Sequence, residues 1–174
     1  METFLNPEKV LDQLKLKEDM IAAEFGCGPG GWAIPLAQRL EKGKVFALDI
    51  QLEKLSALKN RAESENVLNI ETKQCDLEKV RGSGLPDNFL DLVLIPNVLF
   101  QIEKKDVIMG EAKRVLKKGK RLLIVDWMQK AKLGPKEERV TRESVKEIAK
   151  NLNLELKKEF EAGIYHYGLI FEKQ

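Results

Sequence analysis

EFGCGPGGW, residues 24–32, follows the apolar run MIAAEF (20–25) and precedes AIPLAQRL (33–40), whose apolar residues have helical spacing. A glycine-rich turn between a buried strand and a helix lets the backbone approach a ligand closely. It also points the first N–H groups of the helix at an anion. The glycines satisfy two spacings at once: Gly26, Gly28 and Gly30 read G-x-G-x-G, and Gly26, Gly28 and Gly31 read G-x-G-x-x-G. The anion is therefore either an amino-acid carboxylate or a pyrophosphate.

Outward from that turn the chain alternates strands with helices. KVFALDI (44–50) reads as a strand and LEKLSALKNRAES (52–64) as a helix with Leu52, Leu55 and Leu58 inward. NIETKQ (69–74) is a weaker strand. FLDLVLIP (89–96) is a strong one after the turn-rich RGSGLPDN (81–88). KKDVIMGEAKRVLKK (104–118) reads as a helix stopped by Gly119, and RLLIVDW (121–127) as a buried strand. Thr141 caps a last helix with Val145, Ile148, Ala149 and Leu152 on one face. LELKKEF (154–160) and YHYGLIFEK (165–173) are joined by EAGI, so they pair antiparallel. Before the glycine turn, Asn6 and Pro7 start a short amphipathic helix. The expected fold is α/β: a doubly wound, mostly parallel seven-stranded sheet with an antiparallel last strand and helices on both faces.

The 174 residues fit one domain, divided as an N-terminal helix (1–19), a cofactor-binding core (20–126) and an acceptor-side loop, helix and terminal hairpin (127–174). A net charge of +2 argues against a nucleic-acid partner, and KRVLKKGKR (113–121) reads as a solvated helix end and turn. METFLNPEKV lacks the pattern of a secretory leader, and no apolar run approaches the length of a membrane span. Cys27 and Cys75 lack metal-type spacing and are expected to stay reduced in a cytoplasm. No metal site is expected, and the oligomeric state is left open between monomer and dimer.

In an open parallel sheet the ligand lies beyond the carboxyl ends of the strands. Those ends carry Glu24, Asp49, Asp76, Asn97 and Asp126. Asp49 comes 23 residues after Gly26, where a carboxylate can accept from both hydroxyls of a ribose. That ribose is common to S-adenosylmethionine and to dinucleotides, so Asp49 leaves both open. Asp76 suits an exocyclic adenine amine or a helix cap. Asn97 suits a cofactor contact or a loop anchor. Asp126 and His166 are the two candidates for a general base.

Taken in order, these segments resemble the class I S-adenosylmethionine-dependent methyltransferases, in particular the subgroup with quinone and arsenite methyltransferases. AAEFGCGPGG resembles that family's first motif, FALDIQ its ribose-binding segment and QCDLEKV its adenine-binding segment. LDLVLIPNVLFQ and EAKRVLKKGKRLLIVDW resemble its fourth and fifth strands with the helix between. The resemblance implies S-adenosylmethionine as cofactor and S-adenosylhomocysteine as product. Gly26, Gly28 and Gly30 would line the methionine portion, with Glu24 and Cys27 also among the cofactor-binding residues. Asp49 would hold the ribose, Ile50 would flank adenine, Asp76 would meet its amine beside Leu77, and Asn97 would face the sulfonium end. It implies methyl transfer to an unidentified small-molecule acceptor. The alternatives are a non-catalytic S-adenosylmethionine-binding module and an NAD-dependent oxidoreductase. The NPPY tetrad of amide and adenine N-methylation is replaced by IPNV (95–98). The polar segment 128–140 is expected to help cover the acceptor.

Overall fold

The computed structural model describes residues 4–135 and 139–174. Seven strands form one sheet: β1 (Ile21–Phe25), β2 (Lys44–Asp49), β3 (Ile70–Gln74), β4 (Leu90–Pro96), β5 (Leu116–Trp127), β6 (Leu154–Glu161) and β7 (His166–Lys173). Their order across the sheet is β3-β2-β1-β4-β5-β7-β6. β1 to β5 pair parallel with one another, and β7 runs antiparallel to both β5 and β6. The order reverses between β1 and β4, which opens a crevice at their carboxyl ends.

Alternation along each strand divides the core into two layers. Phe25, Leu48, Ile95, Ile124 and Leu169 pack with α4 (Lys105–Val115) and α5 (Arg142–Asn151). Ala22, Val45, Leu92, Leu123 and Ile170 face the other way. They pack with α1 (Pro7–Leu11), α2 (Ala33–Arg39) and α3 (Leu52–Ser64). Asn6 and Thr141 act as read from the sequence: Asn6 Oδ1 accepts from the Lys9 N–H at 3.3 Å, and Thr141 Oγ1 from the Ser144 N–H at 3.0 Å.

One boundary differs from the sequence expectation. α4 ends at Val115, and β5 starts at Leu116 rather than after Gly119. Leu116 is fully buried and pairs with Leu90, while the next pair is Leu92 with Arg121. The intervening residues bulge outward, and Gly119 supplies the positive φ (+74°) of that bulge instead of a helix stop. Burial of Leu116 thus outweighs the helical preference of LKK. Among the described residues, no helix is long and apolar enough to cross a membrane.

The turn-rich stretch before β4 is locked by ionic hydrogen bonds. Glu111 of α4, 4% exposed, accepts from the Ser83 N–H at 3.0 Å and from Ser83 Oγ at 2.5 Å. Arg114 donates to both Glu111 oxygens, to the Leu85 carbonyl and to Asp87. Burial pushes the Glu111 carboxyl upward, but the Arg114 and Ser83 hydrogen bonds prevail and hold it below the usual glutamate range.

Candidate functional site

A cavity of about 860 Å³ lies beyond the carboxyl ends of β1 to β4. Its floor is the glycine turn. The Gly26 and Cys27 N–H groups donate to the Leu48 carbonyl at 2.8 and 2.9 Å, which ties the turn to β2. Asp49 clamps it from the side: Oδ2 accepts from the Gly28 N–H and Oδ1 from the Gln51 N–H, both at 2.9 Å. A carboxylate has about four acceptor positions, so each oxygen keeps one for a ligand on the cavity side. Gly26 has φ +75°, and a Cβ there would stand 2.5 Å from Val98 Cγ2. The turn therefore lies directly against the segment after β4.

Glu24, Gly26, Cys27, Gly28, Asp49, Ile50, Asp76, Leu77 and Asn97 all line this cavity. Gly30 lies elsewhere. It has φ +94°, and a Cβ would come within 3.1 Å of Ile34 and Leu58, so its smallness serves packing of the turn against α2 and α3. Gly31 stands on the wall in its stead.

Glu24 is 1% exposed, and its Oε2 has no partner among the described residues. Burial pushes its pKa well up. The Ala33 N–H pulls the other way, and the Asp49 charge adds to the rise. A buried carboxylate left in this state is matched by a cationic ligand group. Asn97 has φ +56°; its N–H donates to the Val125 carbonyl at 2.7 Å, and its own carbonyl accepts from Gln101 Nε2 at 2.9 Å. Its Oδ1 is buried and unpartnered among the described residues. Asp76 is both a turn former and a wall residue: Oδ1 accepts from the Glu78 N–H at 3.0 Å, and Lys79 lies 3.5 Å from Oδ2. Burial raises both thiols, Cys75 to about 11 and Cys27 further, with the Glu24 charge adding at Cys27. Neither is an activated nucleophile.

The two candidate bases do not line the cavity. Asp126 is fully buried, and its oxygens accept from the Trp127 N–H at 2.8 Å and the Phe100 N–H at 3.3 Å. His166 pairs in register with Trp127, and its ring packs against the Trp127 ring (4.1 Å between centroids) and that of Phe4 (5.6 Å). Burial pulls its pKa down to about 4, so the ring is neutral at physiological pH. A strand end brings a residue to the right edge of the sheet; which way its side chain faces decides whether it meets ligand.

Several wall residues escaped the sequence reading: Gln51, Lys54, Val98, Gln101 and Ile102. Gln51 and Val98 lie inside segments quoted there, FALDIQ and IPNV, but were given no role. Gln101 joins through a one-turn 3-10 helix (Leu99–Gln101) that no apolar period announces. Arg139 also went unnoticed. Its guanidinium donates to the carbonyls of Met128, Gln129, Ala131, Leu133 and Pro135. The described part of segment 128–140 is wound around this one side chain, and Gly134 lies against the Trp127 ring. Residues 136–138 lie outside the described residues.

A family model described as a methyltransferase domain matches residues 16–166. The chain belongs to this methyltransferase-domain family. Curated relatives include a ubiquinone/menaquinone biosynthesis C-methyltransferase, UbiE, of Paraburkholderia phymatum, 33% identical over 101 residues (58% of this chain, 40% of that protein). A demethylmenaquinone methyltransferase of Lactiplantibacillus plantarum is 29% identical over 125 residues (70% of this chain, 51% of that protein). The chain thus spans about half or less of these two relatives' lengths. Among solved structures, an SAM-dependent methyltransferase from Aquifex aeolicus superposes with a TM-score of 0.87 at 29% identity, covering 96% of this chain and 89% of that one. The [4+2]-cyclase SpnF superposes at 0.84 with 14% identity, covering 96% and 80%, a likeness of fold alone. In this member of the family, the glycine turn, the Asp49 clamp and Glu24 stand at the carboxyl end of the sheet and line the cavity.

Proposed function

We propose that this chain is an S-adenosylmethionine-dependent methyltransferase acting on a small-molecule acceptor. The observation that carries the reading is the Glu24 carboxylate: buried, with one oxygen unpartnered, on the wall of a cavity whose floor Asp49 clamps. The residues present fit the cofactor. Glu24 would hold its ammonium, and Gly31 and Trp32, at the entry to α2, would meet its carboxylate. The free acceptor positions of Asp49 suit the ribose hydroxyls. Ile50 and Leu77 would flank adenine, with Asp76 toward its amine. Asn97 would face the reacting end.

Bound there, S-adenosylmethionine supplies a sulfonium methyl group open to in-line displacement. The protein's share is alignment and exclusion of water. Neither Asp126 nor His166 lines the cavity to take a proton from the acceptor, which favours an acceptor nucleophilic without a protein base. A quinol-type ring that arrives ionised comes first: it brings its own electron pair, its ring proton passes to water after transfer, and two relatives are named for quinone methylation. Two free cysteines suit a cytoplasmic setting.

That neither Asp126 nor His166 lines the cavity also favours a second reading, a module that binds the cofactor without transferring its methyl group. A labelled-methyl transfer screen over phenols, quinones, thiols and metalloid anions separates the two. Transfer to one class, lost on saturation with S-adenosylhomocysteine, supports the enzyme. Cofactor binding with no transfer across cell extracts supports the module.

Glu24 gives the reading a pH signature. Its pKa is raised in the free protein and falls when an ammonium pairs with it, so cofactor binding releases protons. Affinity therefore rises with pH through the Glu24 titration. Calorimetry in two buffers of different ionisation enthalpy is expected to show proton release that Glu24→Gln removes. Proton uptake on binding would contradict this role.

A further inference from the structure

We infer that Asp126 is a positioning residue, whose carboxylate fixes the Leu99–Gln101 turn and through it the Asn97–Ile102 wall of the cavity.

The connections are short. Asp126 stands at the end of β5, one strand over from the β4 end that carries Asn97. Oδ2 accepts from the Phe100 N–H, in the middle of the 3-10 turn, and Oδ1 accepts from the Trp127 N–H. The Asn97 N–H donates to the carbonyl of Val125, the residue before Asp126. The turn is thus hung from β5 at both ends of its approach, by backbone at Asn97 and by side chain at Phe100. Val98, between them, is the residue that meets Gly26 across the cavity floor. Loss of the Asp126 contact frees the stretch that sets the distance between the glycine turn and Asn97.

A role as general base does not fit this geometry. Asp126 lies off the cavity, and both oxygens are committed to backbone donors. Burying a carboxylate without an ion pair in contact is costly, so its retention needs a return in fixed backbone geometry. The groups facing it are few. Lys105 on α4 is the nearby cation, its Nζ held by the Ile102 carbonyl at 2.5 Å. Tyr167 on β7 pairs with it in register and donates its hydroxyl to the Val140 carbonyl at 2.9 Å. Burial pushes the Asp126 pKa to about 6 against the pull of the Trp127, Phe100 and Leu99 N–H groups and of Lys105. The carboxyl is half protonated near pH 6, so the hold on the turn approaches completeness a unit or more above that and weakens as the pH falls through it.

The test uses amide NMR on the whole chain, with S-adenosylhomocysteine affinity as a second readout; only that second readout rests on the proposed function. In the wild type, the Phe100 and Trp127 amide protons are expected to titrate together with a midpoint near pH 6. In Asp126→Asn, that titration disappears and the Phe100 amide exchanges about tenfold faster or more, while amides of α3 and β6 are unchanged. S-adenosylhomocysteine binds the variant about tenfold more weakly at pH 7.5, and wild-type affinity falls toward the variant's below pH 6. The wild-type titration needs no variant, so a poorly folding Asp126→Asn leaves the question decidable. Unchanged Phe100 protection in the variant, or two amides that do not titrate in the wild type, overturns the inference. A wild type that titrates as described yet fails to bind S-adenosylhomocysteine instead overturns the cofactor reading and leaves Asp126 in its role.

Discussion

Asp49→Ala is expected to weaken S-adenosylmethionine binding by about 100-fold or more, with the fold retained. One carboxylate here does three things. It accepts from the Gly28 N–H, it accepts from the Gln51 N–H, and it keeps a face on the cavity. Hydrogen bonds to a charged acceptor are worth about 1.5–3 kcal/mol each. Losing the two ribose contacts proposed for it would alone account for about 3 kcal/mol, a factor of about 100. Release of the Gly28 N–H adds to it, because that hydrogen bond to Asp49 Oδ2 helps fix the positive φ (+50°) of Gly28 in the turn. Asp49→Asn keeps one acceptor oxygen and is expected to fall between. Titration calorimetry of the three proteins checks the order. A variant Asp49→Ala that binds as tightly as the wild type would remove the clamp from the account.

Glu111→Ala is expected to have the largest effect on stability, about 3–5 kcal/mol, because it leaves Arg114 facing a buried site without its main partner. Ser83, fully buried, loses the acceptor of its N–H and hydroxyl at the same time. The pH dependence has a definite sign. The Glu111 carboxyl is held below its unfolded value, so its contribution is complete above about pH 4.3 and fades as the pH falls through the folded value. The gap between wild type and variant in urea unfolding is therefore full at pH 7 and narrows in acid. Equal midpoints at pH 7 would mean that the 81–88 stretch is held by other contacts.

The succession of strands along the chain, the antiparallel last strand and the ligand edge of the sheet were legible in the sequence because they follow from pattern; the order across the sheet comes from the structure. Continuous apolar runs such as LVLIP can settle only in a sheet covered on both faces, and the EAGI link permits only antiparallel return. Glu24, Asp49, Asp76 and Asn97 were legible for the same reason, as the polar residues that end such runs. Side-chain direction was not. Asp126 and Asn97 both follow buried strands, yet one turns inward to backbone donors and the other onto the cavity. Gly30 fits the glycine spacing but answers to Ile34 and Leu58, a packing demand from α3 some 28 residues along the chain. The five-carbonyl wrap around Arg139 is set by loop geometry that no period encodes.

The central claim is the identity of the ligand on the glycine turn. Titration calorimetry of the intact chain with S-adenosylmethionine, S-adenosylhomocysteine and NAD tests it most directly. The account predicts one site per chain for each of the two sulfur compounds and no measurable heat with NAD at the same concentrations. Tight binding of NAD with none of either sulfur compound would contradict it.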